Sequence, residues 1–316
     1  MYKLMRFYNR NRKKIFRIIL IIVFIFVILK LLNYFTKIKA NKKIEETVNN
    51  IDNALTTNNS TLISDKSSIS GASIQSSKLK KDTDIINQFM DYCNNGDVSN
   101  AYNLLTDDCK KEMFPTIQDF SNIYYSSLFN GERKSYTIEN WENDTYSVRI
   151  TSDILSTGNL KGDETRQDYI TIIENSKLNI NSYVKKLNVN KKTSDKNITI
   201  TVNYINVYMD YEIYDITIQN NTNDTILLDT NDDTKSVYLL DKNSMKYYFY
   251  NNELIKEKLS IQSNFKTNIQ IKFDNSYKEK RNIESMIFTK MVLNYNEYKD
   301  EKDKDKYNYY TFKVNL

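Results

Sequence analysis

The chain has 316 residues, 40% of them hydrophobic, which is enough material for two domains of ordinary size. It contains no histidine, so a Ser-His-Asp triad and the common histidine-containing zinc sites are excluded. The formal net charge of +5 is unevenly distributed, because residues 1–43 hold 12 of the 45 Lys and Arg residues and none of the 40 Asp and Glu residues. The remainder is therefore acidic overall, which argues against a nucleic-acid partner.

A long apolar run near the start predicts a transmembrane helix. The run is residues 15–35, IFRIILIIVFIFVILKLLNYF, and as a helix it is about 31 Å long, close to the ~30 Å core of a bilayer. No small-x-small cleavage site follows it, so an uncleaved anchor is favoured over the alternative, a cleaved signal peptide.

Basic residues on both sides of this run predict contact with membrane lipid and an orientation. The tail, residues 1–14, is shorter and more basic than the segment after the run, which places the N terminus in the cytoplasm. The protein is then a single-pass plasma-membrane protein with extracellular C-terminal domains. The flanking residues expected at the membrane surface are Arg10, Arg12, Lys13, Lys14, Arg17 and Lys30.

A polar segment, residues 36–82, follows and is rich in Ser, Thr and Asn, which is typical of a flexible stalk. Within it, Ile44, Val48, Ile51 and Leu55 recur at the spacing of a coiled coil. Fewer than two heptads are present, so two alternatives stay open: a weak homodimer through the stalk, or a helical continuation of the anchor.

Residues 83–131 read as three amphipathic helices, and a series of strands with period-two alternation follows them up to residue 185. Gly96 ends the first helix, Asp97 caps the second, and Thr116 with Asp119 forms a capping box for the third. Cys93 and Cys109 fall on different helices, so we expect two buried free thiols rather than a disulfide. Helices followed by antiparallel strands predict an α+β domain over residues 83–185.

The stretch DTDIINQFMDYCNNGDVSNAYNLLTDDCKKEMFPTIQDFSNIYYSSLF resembles the helical opening of the nuclear transport factor 2-like superfamily. This resemblance implies a cone in which three helices pack on a curved antiparallel sheet. It also implies that the cone holds a ligand, forms an enzyme pocket or serves as an assembly surface.

Residues 186–316 consist almost entirely of short strands separated by turn residues, which predicts an all-β sandwich domain. The segment DITIQNNTNDTILLDTNDD resembles immunoglobulin-like or telokin-like sandwiches of secreted Gram-positive proteins. The expected fold class is thus α+β: an N-terminal transmembrane helix, a cone-shaped α+β domain, and an immunoglobulin-like β-sandwich.

One aromatic group could line the concave face of the cone: Tyr124, Trp141, Tyr146, Val148 and Ile150. Packing in the core is the favoured alternative for these residues. No catalytic, cofactor-binding or metal-ligating residue is predicted, because the sequence has no phosphate-binding glycine loop and too few Cys and His ligands for zinc.

These features predict a non-catalytic, membrane-anchored extracytoplasmic protein that contacts other envelope proteins as an assembly or scaffold subunit. The order of anchor, stalk and cone resembles the TcpC family of conjugation proteins, although those carry a second cone where this chain has a predicted sandwich. The alternative is an extracytoplasmic module that binds or senses a small ligand or a peptide. A deep apolar pocket in the cone would favour that alternative, and a cone filled by side chains would favour a scaffold.

Overall fold

The computed structural model describes residues 63–152, 165–173, 176–229, 235–249, 260–275, 277 and 281–316, which all belong to one unit, Ile63–Leu316. The predicted cytoplasmic tail, the predicted transmembrane helix, the six membrane-flank residues and the stalk as far as residue 62 lie outside these residues.

The helical part lies between residues 76 and 128 and is more broken than predicted. It begins with one helix of 19 residues and continues as short segments: α1 Ser76–Asn94, α2 Val98–Asn103, α3 Asp107–Met113, α4 Ile117–Asp119, a π-helical turn Phe120–Tyr125, and α5 Ser126–Leu128. The predicted caps form, since Asp97 accepts a hydrogen bond from the Asn100 N–H, and Thr116 and Asp119 make a capping box.

The second predicted helix breaks at Leu104–Thr106 because its backbone pairs with a strand instead. The Thr106 N–H donates to the Leu178 carbonyl oxygen, and the Leu178 N–H donates to the Leu104 carbonyl oxygen. The Thr106 side chain then caps α3 by accepting from the Cys109 N–H. A sheet contact made by residues more than 70 positions apart therefore takes the backbone groups that a continuous helix would use.

The first sheet is antiparallel and contains four strands in the order β1-β2-β3-β4. The strands are β1 Lys134–Glu142, β2 Thr145–Ser152, β3 Arg166–Ile173 and β4 Lys177–Asn179. Side chains at even positions, such as Ile138, Val148 and Ile170, pack against Ile86 and Phe89 of α1 in one core. We call this the helix–sheet core.

The remaining strands form two further four-stranded sheets and a small two-stranded one. In chain order they are β5 Tyr183–Ser194, β6 Ile198–Tyr208, β7 Tyr211–Asn220, β8 Ile226–Leu227, β9 Val237–Asp241, β10 Lys246–Tyr248, β11 Ser260–Ile261, β12 Lys266–Asp274, β13 Ile283–Met291 and β14 Tyr310–Asn315. The sheets are β12-β7-β6-β5, β10-β9-β13-β14 and β11-β8. A helix, α6 Tyr295–Asp300, and a 3-10 turn, Lys304–Lys306, separate β13 from β14.

The two larger sheets of this group share a second hydrophobic core, the sandwich core. Ile200 and Ile216 face it from one sheet, and Leu239 and Phe288 face it from the other. On one side Phe249, just after β10, bridges to Phe273 of β12. On the other side β14 lies against β5, where the Asn315 N–H donates to the Thr193 hydroxyl.

Strands β5 and β6 connect the two cores without interruption. Tyr183 at the start of β5 and Tyr208 at the end of β6 lie in the helix–sheet core, whereas Ile198 and Val202 of β6 lie in the sandwich core. β5 therefore runs through residues 185 and 186, where the sequence suggested a domain boundary.

The predicted fold class is wrong. The described chain is mainly β, and in place of three helices packed as a cone it has one longer helix and a series of short segments. Propensity and periodicity located the helical residues, but tertiary pairing of Leu104–Thr106 with β4 decided where the helices end.

A second finding contradicts the predicted single-pass topology and plasma-membrane location. Among the residues that the structure describes, no helix is both long enough and apolar enough to cross a membrane.

Asn220 offers a test of how the sandwich is held together. Its side-chain amide donates to the carbonyl oxygens of Asp224, Ile261 and Gln262 at 2.8–3.0 Å, and the residue is fully buried. We expect Asn220→Ala to lower the free energy of unfolding by about 3 kcal/mol, because the buried Ile261 carbonyl and the part-buried carbonyls of Asp224 and Gln262 lose a donor. Urea unfolding measures this, with Asn203→Ala, a half-exposed amide on β6, as the control.

A loss for Asn203→Ala as large as that for Asn220→Ala would contradict this account. We expect the control to cost about 1 kcal/mol or less, since water can replace its partners.

Candidate functional site

The interior between the helices and the first sheet is filled by aromatic rings. Phe120 stacks on Tyr124 with ring centroids 5.6 Å apart, and Phe114 meets Phe120 edge-on at 5.6 Å. Phe89 lies 6.0 Å from Tyr124. Four of the five residues expected to line a concave pocket are among the buried residues here: Tyr124, Tyr146, Val148 and Ile150.

Trp141 lies apart from those four, on the other face of the sheet. It is the extra residue of a β-bulge, because Asn140 pairs with Tyr146 and Glu142 pairs with Thr145. Its ring packs edge-on against Tyr169 at 5.1 Å, beside a small cluster of Val184, Val207 and Met209. The alternation of β1 and β2 could have shown this separation, since Trp141 stands at an odd position.

A buried carboxylate, Asp168, connects three elements of the fold. It accepts hydrogen bonds from the Tyr124 hydroxyl at 2.8 Å and from the N–H groups of Tyr169, Asn181 and Ser182 at 2.7–3.1 Å. Asn181 and Ser182 have φ values of 57° and 62°, a left-handed conformation that is costly for residues other than glycine. Asp168 thus stabilises the turn from which β5 starts.

Burial raises the pKa of Asp168 above its ordinary value, although the hydrogen bonds from Tyr124 and the backbone act in the opposite direction. Burial also raises the pKa of the Tyr124 hydroxyl, and the negative charge of Asp168 adds to that effect. The Tyr124 hydroxyl is therefore neutral and donates to the Asp168 carboxylate, whose two oxygens accept four hydrogen bonds in all.

The two cysteines are free and buried, as predicted. Burial raises the pKa of both thiols, to about 12 for Cys109, so neither is a ready nucleophile or metal ligand at neutral pH. In the described ranges no group of three or more Cys, Asp or Glu side chains is placed to hold a metal ion.

A polar groove of about 300 Å³ lies at the open end of the helix–sheet core, and we call it the mouth groove. One wall is the carbonyl end of α5 and the turn after it, and the other wall is the ends of β1, β2 and β3. Its lining residues are Ser126, Ser127, Leu128, Asn130, Glu132, Lys134, Ile150, Thr151, Ser152 and Arg166.

Strand register puts the two cations of the mouth groove on the same face of the sheet. Lys134 pairs with Ser152 and Ile150 pairs with Arg166, so all four residues stand at even positions, on the face that the helices cover further along. Lys134 and Arg166 flank β2 from either side, which puts their strands about 10 Å apart.

The charges of the mouth groove are only partly paired. The Lys134 ammonium donates to Glu132 at 2.7 Å and to the Ser152 hydroxyl at 3.3 Å, and its side chain is 11% exposed. The Arg166 side chain is exposed, and it makes no hydrogen bond or ion pair within the described part of the chain. Sequence reasoning missed this groove, because its residues come from four segments and only the register brings them together.

No family model and no curated protein matches this sequence. Three solved structures have a weak likeness to it: the yjhA protein from Bacillus subtilis, a conserved hypothetical protein from Bacillus anthracis, and a functionally unknown protein from Listeria monocytogenes EGD-e. Their sequence identities are 12%, 12% and 9%, and their TM-scores are 0.29, 0.26 and 0.27. The matches cover 41%, 42% and 42% of this chain and 99%, 95% and 87% of the respective structures. A likeness this weak says nothing about the function of the chain.

Removal of one donor from Asp168 tests its role. We expect Tyr124→Phe to lower the free energy of unfolding by about 2 kcal/mol at pH 7, because the buried carboxylate loses its side-chain partner. Tyr136→Phe is the matched control, since the Tyr136 hydroxyl is only half-buried and bonds to Asn87. We expect about 1 kcal/mol or less for that variant.

The cost of Tyr124→Phe should depend on pH. Without the Tyr124 hydroxyl, the folded-state pKa of Asp168 rises further above its unfolded value near 3.8. A raised folded-state pKa stabilises the protein below the unfolded pKa, and that stabilisation is lost as pH rises through the folded value. The loss of unfolding free energy in Tyr124→Phe relative to wild type is therefore largest at pH 7 and decreases toward pH 4. Urea unfolding at several pH values measures this loss, and a loss that stays constant with pH would refute the account.

Proposed function

We propose that the protein is a non-catalytic module that acts through contacts with other proteins, as an assembly or scaffold component. The observation that carries this proposal is the filled interior: the space between the helices and the first sheet is occupied by Phe89, Phe114, Phe120 and Tyr124. The buried thiols and the neutral phenol of Tyr124 offer no activated nucleophile or base.

The resemblance of residues 83–185 to the nuclear transport factor 2-like superfamily belongs to this proposal, with the helix–sheet part serving as an assembly surface. The proposal does not include a role in conjugation, because the TcpC resemblance rested on the order of anchor, stalk and cone, and the described residues do not form a three-helix cone. The alternative, a module that binds a small ligand, has its best site at the mouth groove, whose volume is at the lower limit for ligand pockets.

Photo-crosslinking from exposed positions tests the proposal. A benzophenone amino acid is placed in the full chain at Ser127, Thr137 or Thr311, which are exposed on α5, β1 and β14. We expect one position, and not all three, to give an adduct with the same protein in repeated experiments, identified by mass spectrometry.

Native mass spectrometry of the purified full chain provides the counter-test. We expect the mass of the polypeptide alone. No protein adduct from any of the three positions would overturn the proposal, and a small molecule that co-purifies at one copy per chain would then favour ligand binding.

A further inference from the structure

We propose that the mouth groove binds the carboxylate side chain of an acidic segment in a partner protein, between Lys134 and Arg166. This inference rests on the proposed function, because it specifies the chemistry by which a protein partner is recognised. It adds a binding site and a class of ligand.

The first argument is the placement of charge. Arg166 is a guanidinium with all its donors available within the described chain, and a guanidinium matches a carboxylate through two parallel hydrogen bonds. Lys134 is mostly covered, so its charge acts at short range with little screening by water. Both side chains project from one face of the sheet into the same groove.

The second argument favours a monoanion over a phosphate. Glu132 lies in the groove beside Lys134, so two positive charges and one negative charge line it. The carbonyl end of α5 forms one wall and contributes further negative partial charge. A dianion would be repelled by both, whereas one carboxylate can lie between Lys134 and Arg166, near the Ser152 hydroxyl on the same face.

The third argument concerns size and the rest of the lining. About 300 Å³ is at the lower limit for ligand pockets and holds one or two side chains of a partner. The rest of the lining is mainly polar, since Ile150 is only 2% exposed and Leu128 is half-buried, which suits a polar head group. Arg166 is exposed, so a segment of another protein can reach its guanidinium.

NMR titration of the full chain tests the site with defined probes. N-acetyl-glutamate N-methylamide should cause saturable shifts of the Leu128 and Ile150 methyl groups and the Thr151 amide, and N-acetyl-glutamine N-methylamide should not. Arg166→Gln should weaken the glutamate probe about tenfold, because a charge-assisted pair is lost. Arg149→Gln, which removes the same charge from the other face of the sheet, should leave the affinity unchanged.

Three results would overturn the site: no saturable shift at the groove, equal shifts with the glutamine probe, or an unchanged affinity in Arg166→Gln. Tighter binding of inorganic phosphate than of the glutamate probe, lost in Arg166→Gln, would also overturn it in favour of a site for inorganic anions. Since Arg166 is exposed, its variant is expected to fold, and the unshifted core methyl groups confirm that.

Crosslinking separates failure of this inference from failure of the proposed function. A protein adduct from Ser127 that disappears in Arg166→Gln and persists in Arg149→Gln supports the groove as the contact site. An adduct that forms only from Thr137 or Thr311 overturns the groove and leaves the proposed function intact. No adduct from any position overturns both.

Discussion

One buried carboxylate ties the helical layer to the turn from which β5 starts. Asp168 receives the Tyr124 hydroxyl from the helical layer and the N–H groups of Asn181 and Ser182 from the turn before β5. That turn is left-handed at two consecutive residues, a conformation that persists only where its surroundings stabilise it. Asp168 therefore stabilises the turn from which β5 leaves the helix–sheet core.

The strands that follow carry this constraint through the molecule. β5 and β6 begin or end in the helix–sheet core and continue into the sandwich core, so the same two strands belong to both cores. Tyr183 and Tyr208 meet edge-on at 5.3 Å where the strands enter the first core, and Glu112 of α3 accepts from the Tyr208 hydroxyl. The helices are thereby tied to the strands by packing and by hydrogen bonds.

The packing of aromatic rings leaves little space for a ligand inside the helix–sheet core. The aromatic rings of the first core occupy the volume that a ligand would need, and the Asp168 carboxylate there is engaged in structural hydrogen bonds. The mouth groove differs in this respect, since Arg166 remains exposed and Lys134 has one nearby counter-charge. A groove of this kind suits recognition of a charged side chain better than turnover of a substrate.

The sequence by itself determined the local features: the caps at Asp97 and Thr116, the free buried thiols, and the alternation that makes residues 134–152 a hairpin. These depend on interactions within a few residues, which a single sequence contains. It did not determine the fold class, because Leu104–Thr106 pair with β4, more than 70 residues away, and that pairing ends a helix that periodicity would continue. Nor did it join Lys134 to Arg166. That relation depends on the register of β1, β2 and β3, and register is a property of two or more strands together.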